Sequence, residues 1–263
     1  MSWSGFKKAV NRAGTTVMMK TGQIEKTVDR EFELEERRFR TLETAANKLQ
    51  KEAKGYLDSL RAMTAAQTRI AETIDAFYGD SGAQDGISKY YRSAVEDLDA
   101  DTVKALDGPY RATVLEPISR FVSYFPDIND AIKKRNHKLL DYDAMRSKVR
   151  KLVDKPAEDV QKLPKAEEDA NIAKQIYEEL NNQLTAELPQ LIDLRVPYLD
   201  PSFEALVKIQ LRFCSEAYTR MAQVQQFLDP NTREEYAGGY LDTRVEQVLQ
   251  GMRDLSITGL SAA

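Results

Sequence analysis

The chain is poor in the residues that make turns, crosslinks and catalytic centres. Among its 263 residues are 12 glycines and 9 prolines, which leaves room for long unbroken helices and argues against a compact fold built on many turns. One cysteine, Cys214, allows no internal disulfide and fits a reducing compartment. It follows the seam residue Phe213, which predicts a buried structural thiol rather than a nucleophile. The one histidine, His137, has lysine three positions before it, so the Glu-x-x-His pairs of a helical di-metal site are missing. No Gly-Lys dipeptide and no Gly-x-Gly occurs, so phosphate-binding loops and dinucleotide turns have no sequence to stand on. Residues 1–20 hold no apolar run of the secretory kind. No stretch approaches the roughly 18 apolar residues that span a bilayer. The expectation is a cytoplasmic, non-enzymatic protein with no cofactor, whose membrane contact is peripheral.

What is abundant is charge and helical periodicity. Charged residues make up 30% of the chain at a net −4. From about Ile24 to Tyr78 the apolar positions Phe39, Leu42, Ala46, Leu49, Ala53, Tyr56, Leu60, Met63, Ile70, Ile74 and Phe77 keep a 3-4 spacing, a heptad seam that demands partner helices. Gly79, Gly82 and Gly86 predict a turn. A second helical region runs from about Ile87 to Lys155, with a break or restart at Gly108-Pro109. Its seam is Val114, Ile118, Phe121, Phe125, Ile128, Ile132, Leu139, Tyr142, Val149 and Val153, bent by Pro117 and Pro126. A third runs from about Lys165 to Leu228, with Pro189, Pro197 and Pro201 in its middle. Asp229-Pro230 ends it, and a short tail helix is predicted from about Tyr240 to Leu255. The predicted fold is all-α: an elongated, kinked antiparallel three-helix coiled coil.

Two segments are candidates for binding. Residues 1–22 place Trp3, Phe6, Val10 and Val17 near one helical face, with Lys7, Lys8, Arg12 and Lys20 elsewhere and no acid before Glu25. Gly14, Thr15 and Thr16 weaken its helix, so it is expected to be weakly ordered in water and helical once its apolar face is buried. That face can enter a membrane interface or dock on the protein's own body; the acid-free basic positions and Trp3 favour membrane. The second segment, residues 133–165, holds eleven basic residues against five acidic ones. Lys133, Lys134, Arg135, Lys138, Lys148, Arg150, Lys151, Lys155 and Lys162 are its candidate headgroup contacts. The plainer reading of such a run is a solvated helix face. Nucleic acid is disfavoured, because no aromatic platform interleaves the lysines and the sequence pI is 5.4.

Five blocks carry a family resemblance: Asn11–Gly14 (NRAG), Leu49–Met63, Tyr124–Asp143 (YFPDINDAIKKRNHKLLDYD), Lys165–Asn181 and Leu184–Val196. They resemble the amphiphysin and fungal Rvs-type N-terminal BAR domains, and the opening MSW-GFKKA-NRAG is similar to the short Rvs type, without the SH3 domain and proline-rich linker of amphiphysin. The resemblance implies an amphipathic segment at 1–22, a BAR domain at 23–230 and a tail at 231–263. It implies a crescent-shaped dimer that senses or generates curvature on anionic phospholipid membrane. It also implies a second copy or an SH3-bearing Rvs-type paralogue as partner, and actin-associated endocytic machinery at cortical sites. The rival expectation is a coiled-coil cytoskeletal adaptor that never touches lipid.

Overall fold

The computed structural model describes residues 3–79, 86–255 and 257, with side chains from residue 6 onward. Gly82 lies outside the described residues, as does the side chain of Trp3. Among the described residues all regular structure is helical: α1 (Trp3–Lys20), α2 (Arg30–Tyr78), α3 (Ile87–Asp97), α4 (Lys104–Tyr110), α5 (Glu116–Val122), α6 (Phe125–Asp154), α7 (Lys162–Gln225), α8 (Pro230–Gly238) and α9 (Leu241–Arg253).

Local chemistry sets the boundaries. In α1, Thr15 and Thr16 return their hydroxyls to the carbonyls of Asn11 and Arg12 at 3.0 and 2.9 Å. That satisfies the polar side chains without breaking the helix. Gly22 ends the segment at φ 74°, with Gln23 N–H donating to Met18 O at 2.8 Å and Gly22 N–H to Met19 O at 3.2 Å. This left-handed closure suits glycine because it has no Cβ. The long first helix starts at Arg30 rather than near Ile24. Asp29 is the reason: its carboxylate accepts the Phe32 N–H at 3.0 Å and caps the helix.

The second helical region is continuous only in outline. Two π-helical stretches, Leu98–Val103 and Arg111–Leu115, flank α4, and a turn at Ser123–Tyr124 separates α5 from α6. Gly108-Pro109 is accommodated inside α4. Pro117 and Pro126 each fall in the first turn of a helix, the position that best accommodates proline. They start helices where bends were expected. Helix α8 was not foreseen; the Asp229 side chain accepts from the Asn231 and Thr232 amides, with Pro230 at the first position.

The chain divides into two compact units, residues 1–54 with 111–205, and residues 55–110 with 206–263. The first has an aromatic core of Phe32, Phe39, Phe121 and Phe125 packed with Ala46, Ile132, Leu184 and Leu188. Phe39 and Phe121 each meet Phe125 edge to face, at 5.7 and 5.4 Å between centroids, geometry that adds roughly 0.5–1.5 kcal/mol per pair beyond burial.

The second unit buries Leu57, Leu60, Ala71, Val95, Leu98, Val103, Leu106, Tyr110, Ile209 and Phe213. Here the expected seam drifts. Thr64 and Ala71 are buried, while Met63, Ile70 and Phe77 are exposed, Phe77 at 87%. A straight helix slips about 20° per heptad against a 3.5-residue repeat, so the inward row steps by one residue. Val207, Leu211 and Tyr218 form a second exposed row on α7. Cys214 is exposed, contrary to the buried role expected of it. It lies one residue, about 100° of helix rotation, beyond buried Phe213.

Candidate functional site

At 100° per residue, Lys133, Lys134, Lys138, Lys148, Lys151 and Lys155 fall within an arc of roughly 140° on α6 and its first C-terminal residue. Phe125, Ile132 and Leu139 occupy the opposite, buried side. All six lysines are exposed or half-exposed. Neither these nor Lys162, also exposed, forms an ion pair among the described residues. Arg150 lies outside the arc and meets Glu25 at 3.6 Å.

Arg135 does not belong to this surface. It is 3% exposed, three residues after Ile132 and four before Leu139, hence on the core side of α6. Its guanidinium lies 3.9 Å over the Phe32 ring. It donates to Asn181 Oδ1 at 2.8 Å, to Tyr177 Oη at 3.0 Å and to Asp29 Oδ2 at 3.4 Å. Asn181 Nδ2 also donates to Asp29 Oδ2 at 2.6 Å. The cap of α2 is thereby fixed to α6 and α7. Burial disfavours the Asp29 carboxylate, yet the Phe32 amide, the Asn181 amide and the Arg135 charge outweigh it and hold its pKa below the ordinary value. Burial pushes Tyr177 up to about 12. Beside this cluster, buried Asp143 accepts from the Thr27 hydroxyl at 2.6 Å and pins the linker between α1 and α2.

The N-terminal helix docks in an unexpected orientation. Arg12 Nε and Nη2 donate to the two Asp141 carboxylate oxygens at 2.8 and 2.7 Å, across from α1 to α6. Hydrogen bonding to Asp141, against partial desolvation, raises the Arg12 pKa. Arg12 is a docking contact, not a free headgroup ligand. Thr15 is buried and Met19 half-buried on the same side of α1. The opposite, apolar arc points away: Phe6, Val10 and Val17 are 55%, 53% and 60% exposed. Lys7 and Lys8 are exposed too. The helix is held by its polar side and leaves its apolar side open. His137, half-buried on α6, has its pKa lowered by burial and by the charges of Arg12 and Lys133.

An open groove of about 860 Å³ runs between α1, α6 and α7. Its walls include Val10, Met18, Met145, Ile172 and Ile176, with Lys8, Lys138 and Lys148 at its edge. Sequence reading missed this groove, because Ile172 and Ile176 lie outside the α7 seam and only the docking of α1 makes them a wall. It also missed the Asp29 cluster, although Ile132, Arg135 and Leu139 at helical spacing carried the signal.

Comparison with known proteins places this geometry. The BAR-domain family model matches residues 6–229. Protein hob3 of Schizosaccharomyces pombe is 76% identical over 261 residues, covering 99% of each chain. "Reduced viability upon starvation protein 161" of Saccharomyces cerevisiae is 57% identical over 264 residues, again covering 99% of each. "Regulator of cytoskeleton and endocytosis RVS161" of Candida albicans is 56% identical at the same coverage. The amphiphysin BAR domain from Drosophila superposes with a TM-score of 0.64 at 26% identity, covering 80% of this chain and 96% of that one. The resemblance carried by the five sequence blocks therefore holds over the whole chain, and the protein belongs to the BAR-domain family, with fungal Rvs-type proteins among its full-length relatives.

Proposed function

We propose that the chain is a dimeric scaffold that binds curved anionic membrane during endocytosis, without enzymatic chemistry of its own. The observation that carries this reading is the pairing of two exposed features in one unit. The α6 lysine arc has no ion-pair partner among the described residues, and α1 turns an apolar face away from the body that holds it. A lysine near an anionic leaflet contributes about 1 kcal/mol, so several together give reversible binding. The apolar face of α1 supplies insertion, with Lys7 beside it. Among the described residues no helix is long and apolar enough to cross a membrane, so the attachment is to one leaflet.

The dimer rests on the second unit. The rows Met63, Ile70, Phe77 and Val207, Leu211, Tyr218 repeat at coiled-coil spacing and are exposed in the single chain. Rows of that kind are buried by partner helices. The partner is a second copy or an SH3-bearing Rvs-type paralogue, and the site of action is the cytoplasmic face of the cortex, near actin. One relative, named for endocytosis and the cytoskeleton, supports this setting. Co-sedimentation with vesicles containing phosphatidylserine tests the membrane half. Salt-sensitive binding that collapses when the α6 arc is reversed is expected. Equal behaviour of wild type and arc-reversed protein would leave the adaptor role standing instead.

A further inference from the structure

The geometry points to the α1–α6–α7 groove as a binding site for one chain of an anionic amphiphile drawn from the membrane leaflet. This rests on the membrane reading above and sharpens it, because it adds a concave lipid site beside the exposed lysine arc.

The argument begins with shape. A groove of about 860 Å³ falls within the range of small-ligand sites. Met18 from α1 faces it, with Val10 at its outer rim, Met145 from α6, and Ile172 and Ile176 from α7. Val10, Met18, Ile172 and Ile176 remain substantially exposed, so water lies against apolar wall. Unbranched methionine side chains adapt to a flexible chain.

Charge then selects the occupant. Lys8, Lys138 and Lys148 line the same groove, and none has an ion-pair partner among the described residues. Of the two acids present, Asp141 is already committed to Arg12 at 2.7 Å, leaving Asp169. The edge is net basic against an apolar wall, which matches a phosphate or carboxylate head on an alkyl chain. The Arg12–Asp141 pair holds the α1 wall in place, so the groove exists only while α1 is docked.

The test uses the full chain with ¹³C-methyl methionine, titrated with dodecyl phosphate below its micelle-forming concentration. Saturable shifts of the Met18 and Met145 methyls are expected, with Met63, Met221 and Met252 unmoved. Ile172→Glu with Ile176→Glu should weaken binding at least tenfold, and both positions are exposed enough to tolerate the change. Dodecyl maltoside should bind at least tenfold more weakly than the phosphate. Absence of shifts, shifts spread over all methionines, or equal binding of the maltoside would overturn the inference. So would shifts of Met18 and Met145 on simple dilution, which would mean that a second copy fills the groove. Vesicle co-sedimentation separates the two readings, since Lys151→Glu with Lys155→Glu lies outside the groove and should weaken vesicle binding while leaving dodecyl phosphate binding within about twofold of wild type. Vesicle binding without dodecyl phosphate binding would sink the groove alone. The reverse would sink the membrane reading alone.

Discussion

The two units are both helical bundles of one chain, and both expose apolar side chains on α7, Leu194 and Phe203 in the first and Leu211 and Tyr218 in the second, yet only the first adds the α6 lysine arc. The first exposes unpaired lysines on α6 and carries α1. The second exposes apolar rows on α2 and α7 and carries α9. The terminal helices repeat the contrast. Both are amphipathic: α1 exposes Phe6, Val10 and Val17, and α9 exposes Val245, Val248 and Met252. No acid lies in α1, whereas α9 mixes Asp242 and Glu246 with Arg244 and Arg253. The α9 arginines are already paired, Arg244 with Glu235 and Arg253 with Glu246, both at 3.0 Å. An apolar stripe therefore does not by itself specify a membrane; the charge beside it decides. On the function proposed above, the first unit meets anionic lipid and the second meets protein.

The largest expected effect comes from reversing charge in the first unit. Replacing Lys148, Lys151 and Lys155 by glutamate, or Lys133, Lys134 and Lys138, should weaken vesicle binding by more than a hundredfold at low salt. Each neutralisation costs about 1 kcal/mol and reversal roughly doubles it. Helicity should be unchanged, because all these positions lie away from the buried side. Raising ionic strength should shrink the wild-type advantage, since the screening length is about 8 Å at physiological salt. Matching substitutions in the second unit, Ile70→Glu with Leu211→Glu, should instead lower the dimer fraction in sedimentation equilibrium. If they alter vesicle binding as strongly as the lysine reversals at a protein concentration where the dimer persists, the division of labour between the units fails.

The next effect is on stability. Arg135→Met removes a guanidinium that touches Asp29, Tyr177, Asn181 and Phe32. Breaking one partner of a buried pair costs about 3–5 kcal/mol. Asp29 keeps some solvent contact, so the lower end is expected in urea unfolding. If Arg135 instead served lipid, the variant would lose vesicle binding with its midpoint unchanged. The Asp29 pKa is depressed below 3.8, so its contribution is fully present above that value and is lost as pH falls through the folded value. Urea midpoints between pH 5 and pH 2 should fall more steeply for wild type than for Asp29→Asn.

Arg135 shows what the sequence could and could not say. Helix existence was legible because seams such as Phe39, Ala46, Ala53 and Leu60 repeat over many turns, and all four residues are buried or half-buried. Family and fold class followed from that and from the five blocks. Side-chain fate within the basic run was harder, because counting charges ignores phase. The same six lysines and Arg135 read alike in composition, and only their angle on α6 separates them. The pairing of Arg12 was hidden for a different reason: its partner Asp141 is 129 residues away, and no local pattern announces such a contact. Met63 and Phe77 left the core through accumulated phase drift, which a fixed 3-4 count conceals.

Within the terminal pair, Phe6→Glu should weaken vesicle binding by about tenfold or more, since full burial of such a side chain is worth roughly 1.5–3 kcal/mol. Val248→Glu on α9 should leave it within twofold. Circular dichroism of the full chain should register little helix gain for α1 on vesicles if the docked helix already forms in solution. A loss with Val248→Glu as large as that with Phe6→Glu would erase the distinction drawn from charge.

The smallest expected effect is a pH response of α1 docking. His137 sits on α6 with Arg12 of α1 and Lys133 of its own helix as cationic neighbours, and Asp141 as the opposing acid. Burial and the two cations lower its pKa beneath 6.5, so the neutral ring is the form the folded protein favours. The sign follows: its contribution is present above 6.5 and is lost as pH falls through the depressed folded value. A protonated ring beside Arg12 repels the guanidinium that ties α1 to Asp141. Hydrogen exchange of the α1 amides, corrected for intrinsic rate, should quicken by less than threefold between pH 7.5 and 5.5. His137→Gln should flatten that change, while Arg12→Gln should raise exchange at both values. If α9 amides quickened equally, the response would belong to the whole fold and not to the Arg12 contact.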